Sequence, residues 1–244
     1  MPARARDQND MPDVPDPDFV GALSEIWFGI NYAGYHLAYV RVYLQTAALQ
    51  IPAEKLRNQE QAIRDQTQVD MVICRSHLAA FFWQIDHVFE ALRIAITRGQ
   101  KEHGELKYFW RWEQDLKRIE ETPLRQEISA YRNKAHEIPA IIGCEWEGEG
   151  GKFIRHFLPT IEGHDPKQSP DMVTQLQKYF EFVANVWLSF APGDYKDKFP
   201  RNFKFPVSIP HSFIGELPPE LESVPQLEIS IQAYSPEAES SKEE

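Results

Sequence analysis

Arg132, Asn133 and His136 stand close together in the stretch Tyr131-Arg132-Asn133-Lys134-Ala135-His136-Glu137. A helix turns about 100° per residue, so groups at i and i+4 project from nearly the same face, about one turn apart. Arg132 and His136 would then present a fixed cation beside a titratable base. Arginine stays charged and grips phosphate through a planar fork, whereas histidine gives or takes a proton near neutral pH. Such a pair suits phosphate recognition or chemistry at a phosphodiester. The plainer alternative is that Arg132 pairs with a nearby carboxylate and His136 sits where the helix dipole favours a cation, which would make both structural.

A second stretch joins cations to stacking faces. From Tyr195 through Phe205 basic and aromatic residues alternate, with Lys198, Arg201 and Lys204 placed to follow a single strand of RNA. Equally, the aromatics could pin this stretch to the body while the basic residues face water. Asp86, His87 and Glu90 gather on one helical segment, yet no glutamate is followed three residues later by histidine, so no metal centre is expected. Gly148-Glu149-Gly150-Gly151-Lys152 lacks phosphate-loop spacing and reads as a hairpin turn. No cofactor is expected.

Tyr131 through His136, set late in a helical chain, resembles the HEPN (higher eukaryotes and prokaryotes nucleotide-binding) superfamily, whose members often carry an Arg, a polar residue after it and a His a few positions on. Here the spacer between Arg132 and His136 is three residues, against four to six in the family, which keeps both groups on regular helix. The resemblance implies a helical bundle that dimerises, bringing two copies of the motif into one cleft, and a metal-independent endoribonuclease. It further implies that His136 handles the proton of a 2′-hydroxyl or leaving oxygen while Arg132 steadies the charge growing on the phosphate. Asn133 would orient the phosphate and Lys134 would add positive field. The competing reading is a non-enzymatic helical interaction protein.

The elements that must position these residues are legible as apolar stripes. Leu23, Ile26, Ile30, Ala33, Leu37, Val40, Leu44 and Ala47 follow alternating three and four spacing, which predicts a long helix buried on one face. Met71, Cys74, Leu78, Phe81, Ile85, Val88, Leu92 and Ala95 form a second stripe, widened by Phe82 and Phe89. A third helix from near Leu106 is interrupted at Thr122-Pro123, where Thr caps and Pro opens a fresh helix that ends before Pro139. Val173, Leu176, Phe180, Val183, Trp187 and Phe190 mark the last helix, with a start expected at Ser169-Pro170 and a stop at Pro192-Gly193.

The expected fold is all-α: an antiparallel four-helix bundle over residues 19–191 with a small β-hairpin insertion at 141–158 and an extended, Pro-rich C-terminal segment at 192–234. Residues 51–67 are polar nearly all round and admit either a loose helix or an extension of the second one. Residues 1–18 and 235–244 read as disordered acidic ends.

Over 244 residues the net charge is −11, which would repel nucleic acid if spread evenly. It is not: residues 1–20 and 235–244 each carry −3, and Glu216, Glu220, Glu222 and Glu228 add four more charges, leaving residues 21–214 near neutral. A basic patch on the body therefore remains compatible with the total. The chain opens polar and acidic, unlike a secretory signal, and its longest apolar stretches fall short of the roughly 20 residues that span a bilayer. Two cysteines form neither a disulfide framework nor a zinc pattern, so a reducing cytoplasm is expected, with Cys74 a buried apolar residue.

Overall fold

The computed structural model describes residues 17–45, 61–102, 107–137, 143–147, 152–158, 170–190, 202–206 and 226–230. The described residues are mostly helical: α1 (Pro17–Gln45), α2 (Gln61–Glu102), α3 (Lys107–Glu120), α4 (Pro123–Glu137) and α5 (Met172–Phe190). Strands β1 (Gly143–Glu147) and β2 (Lys152–Phe157) form an antiparallel hairpin, and β3 (Asn202–Pro206) pairs antiparallel with β4 (Gln226–Ser230). Of the two readings of 51–67, residues 61–67 follow the second, as an extension of α2 that opens at Gln61, and 51–60 lie outside the described residues. Pro17 and Asp18, expected in the disordered end, instead open α1, where proline's fixed φ suits the first turn. The segments expected to be disordered, 1–16 and 235–244, and most of the expected wrapping segment lie outside the described residues.

The stripes fall on the buried faces, with Met71, Ile119 and Val173 only partly covered and Ala47 outside the described residues. Along α1, Ile26, Ile30, Ala33, Leu37 and Val40 are sealed from solvent, and along α2 so are Cys74, Leu78, Phe81, Ile85, Val88 and Phe89. At roughly 1.5–3 kcal/mol for each fully buried large side chain, this shared face is the main force holding the helices together. Cys74 follows the plain expectation, since burial pushes its thiol up to about 12.

α2 lies against every other helix. It runs antiparallel to α1, since Glu25 meets His87 near one end of the contact while His36 meets His77 further along. α3 turns back along the end of α2, where the Phe109 ring lies so close to Gly99 that an added β-carbon would fall 2.1 Å from it. At the break between α3 and α4, Thr122 Oγ1 accepts the Arg125 amide at 3.4 Å and donates to the Ile119 carbonyl at 2.6 Å. This is the predicted Thr122-Pro123 restart. α4 then continues antiparallel to α2, stacking Tyr131 on Phe82 with ring centroids 5.2 Å apart.

α5 closes the core through Tyr179 against Phe82, Phe182 against Phe89 and Phe190 against Trp112. Its cap differs from the expectation at Ser169-Pro170. Asp171 Oδ1 accepts the Val173 amide at 2.9 Å, so the helix begins two residues later, where a carboxylate both caps and complements the positive helix end.

Candidate functional site

The site is built where α4 crosses α2. Arg125 and Arg132 are seven apart on α4, two turns of one face, so both side chains reach the same stretch of α2. Between them stands Asp86. Arg125 Nη2 lies 2.7 Å from Asp86 Oδ1, and Arg132 Nε lies 3.3 Å from Oδ2. These are close charge contacts without hydrogen-bond alignment, because Asp86 Oδ1, Arg132 Nε, and Nε and Nη1 of Arg125 are buried with no hydrogen-bond partner. Each arginine also covers an aromatic face of α2. Arg125 lies 4.3 Å over Phe89, and Arg132 lies 4.8 Å over Trp83.

The two arginines differ in access. The Arg125 side chain is 9% exposed and that of Arg132 is 30% exposed. One carboxylate faces two permanent cations, and the nearby Glu90 is turned away to Arg93 at 2.6 Å. The seam thus carries more positive charge than Asp86 neutralises, together with N–H groups that lack acceptors. An anion can meet the part-exposed Arg132 guanidinium, whereas the unpartnered N–H groups are themselves buried.

Asn133 is exposed and accepts from Arg132 Nη1 at 3.1 Å. Lys134 is half-buried on the same helix. His136 belongs to α4, and its side chain lies outside what is described. Lys198 and Arg201 also lie outside the described residues. Lys204 belongs to β3, opposite Glu228 in the register. The structure therefore brings Arg132 and Asn133 together and adds Arg125, Asp86 and Trp83, which the motif reading missed. The seven-residue spacing of Arg125 and Arg132 was the signal that could have found the second cation.

Asp86, His87 and Glu90 do not converge, since they turn respectively to the arginines, to Glu25 at 3.7 Å and to Arg93. Among the described residues no group of three or more His, Cys, Asp or Glu is gathered for a metal. Nor, among them, is any helix long and apolar enough to cross a membrane.

A second polar cluster went unanticipated. His36 Nδ1 and His77 Nδ1 are 2.9 Å apart across the α1–α2 contact, so one ring nitrogen donates and the other accepts. Tyr39 stacks on His77 at 4.3 Å, and Tyr35 meets both imidazoles edge-on. Burial, then the neighbouring His77, lowers His36 to about 4, and burial lowers His77 as well. The hydrogen bond with Tyr39, then burial, pushes Tyr35 up to about 12. This pair is neutral where the arginine seam is charged.

No protein-family model, curated protein or solved structure matches the chain.

Proposed function

We propose that this chain is a HEPN-like helical protein that binds RNA or a nucleotide where Arg132 leaves α4, and that it cleaves RNA without metal through His136. One observation carries the binding half. Arg132 lies over Trp83, part-exposed, beside a second arginine, with a single carboxylate between the two. A phosphate would meet the exposed part of the Arg132 guanidinium, with Arg125 adding positive field from behind it, and Trp83 offers a face on which a base stacks. In this reading the helices form an antiparallel four-helix bundle in which α3 and α4 count as one broken helix. The Pro-rich C-terminal segment lies along the bundle in extended form. Two copies pair in the cytoplasm, and Asn133, Lys134, Lys198, Arg201 and Lys204 extend the contact with RNA.

Cleavage would follow from proton transfer at His136. The 2′-oxygen, losing its proton to imidazole, attacks phosphorus as the 5′-oxygen departs with a proton taken from water, leaving a cyclic phosphate and a 5′-hydroxyl. Arg132 would hold the equatorial oxygens as their charge grows.

A second reading draws on the ion pair itself. Because Asp86 already engages Arg132, the motif serves to fasten α4 to α2, and the protein is a non-enzymatic interaction module. Incubation of structured and unstructured RNA with the protein in chelator separates the two. The first reading expects cyclic-phosphate ends that Arg132→Ala and His136→Ala both abolish while the fold persists. Absence of cleavage and of RNA binding, with Arg132→Ala destabilised, selects the second.

A further inference from the structure

Three large aromatic side chains border one groove between α1 and α2. Phe28 and Tyr32, one turn apart on α1, are 52% and 54% exposed, and Trp83 opposite them on α2 is 45% exposed. The groove measures about 320 Å³. Gly29, at its base, lets α1 pack closely on α2, since a β-carbon there would come within 2.9 Å of Val88 Cγ2. Aromatic surface gathered this way marks a place where something binds.

We infer that this groove is a stacking subsite for one unpaired base of the nucleic acid whose phosphate Arg132 holds. It rests on the function proposed above and narrows the ligand to single strands. Trp83 joins the two halves, because its ring lies under the Arg132 guanidinium and also lines the groove. A base entering beside Trp83 thus has a cation next to it for the phosphate to which it is attached. Tyr32 and Phe28 supply further stacking faces, which accept any base but exclude one paired inside a duplex. The volume lies at the low end for small-ligand pockets, which suits one base rather than a run of them.

The polar fringe can take up the hydrogen-bonding edge of a base. Glu25 offers only acceptors when ionised, and the Gln84 amide offers both donor and acceptor. An exocyclic amino group on adenine, cytosine or guanine can donate to Glu25, as can the N3–H of uracil, so this fringe admits all four bases.

The test compares a short unstructured single-stranded RNA, its duplex and an abasic sugar-phosphate strand of equal length as ligands of the full chain. Tyr32→Ala and Phe28→Ala are the informative variants, since both side chains are exposed and stand apart from Arg132. Each is expected to weaken single-strand binding roughly fivefold or more, the loss of one base stack, while abasic-strand binding and circular dichroism stay unchanged. Arg132→Ala should weaken both ligands. If wild type binds single strands and the two aromatic variants bind them equally well, the groove is no base subsite although the RNA reading stands. Duplex or abasic strand bound as tightly as single-stranded RNA overturns it too. Loss of self-association in Tyr32→Ala, with RNA affinity intact, assigns the groove to a second copy instead. Binding of no RNA by wild type removes the proposed function and this subsite together.

Discussion

Two of the polar contacts of α2, one with α1 and one with α4, are opposite in character. Against α1 this helix sets His77 beside His36, two imidazoles that share a single hydrogen and are driven neutral by burial. Against α4 it sets the Asp86 carboxylate between the guanidiniums of Arg125 and Arg132. The histidine pair closes its own hydrogen bond and has no charge to offer. The arginine seam leaves positive charge and N–H groups over. A buried polar contact that balances serves the fold, whereas one that does not can serve a ligand. The two seams should therefore answer to different variables, pH for one and anions for the other.

Removing the shared carboxylate should have the largest effect. Asp86→Ala leaves two guanidiniums facing each other with one of them buried, and should cost about 3 kcal/mol in urea unfolding. Adding Arg125→Leu to Asp86→Ala should recover part of that loss, which a double-mutant cycle reads directly. Asp86→Asn sharpens the same point through binding. The amide keeps the shape but releases Arg132, so affinity for single-stranded RNA should rise several-fold, and a fall would assign Asp86 a place in the contact.

The α1–α2 seam should respond to acid. An unfolded histidine takes its proton near pH 6.5, but folded His36 does so only near 4. The unfolded state therefore binds more protons in that interval. Stability is complete above about 6.5 and is lost as the pH falls to about 4, by something on the order of 1–2 kcal/mol since the ring is partly solvated. His36→Gln should flatten urea midpoints measured across this window; an unchanged slope would place the titration elsewhere.

Smaller effects mark the borders of the comparison. Thr122→Ala removes the cap that starts α4 and should cost about 1 kcal/mol, with Arg132 still in register because α4 is also held by Tyr131 and Arg125. Arg93→Ala breaks exposed pairs with Glu90 and Glu120 and should cost less than about 1 kcal/mol, fading in salt. A larger loss there would show that surface charge, rather than the two seams, governs this face of α2.

The helices were legible because burial imposes a period on sequence. The stripes from Leu23 and Met71 fall on the buried faces, and the Thr122-Pro123 restart follows from local chemistry alone. Asp171 was missed as a cap because Ser169-Pro170 presents the same signature two residues earlier, and only the observed hydrogen bond decides between them. The site was less legible for a different reason. Arg132 could be singled out by type and spacing, but its carboxylate depends on the register of α4 against α2, which no local pattern encodes. His36 and His77 met through the register of α1 against α2 in the same way. Tyr35, Tyr39 and Tyr43, repeating every fourth residue, were the available hint of a polar seam beside them.

The most direct measurement is a fluorescence-anisotropy titration of a labelled, unstructured single-stranded RNA with wild type and Arg132→Ala, in chelator at low salt. Saturable binding that Arg132→Ala weakens about tenfold or more, with thermal unfolding still cooperative, is the expected result. Equal affinity in the two proteins, or no binding by wild type, would contradict the assignment of Arg132 as the phosphate contact.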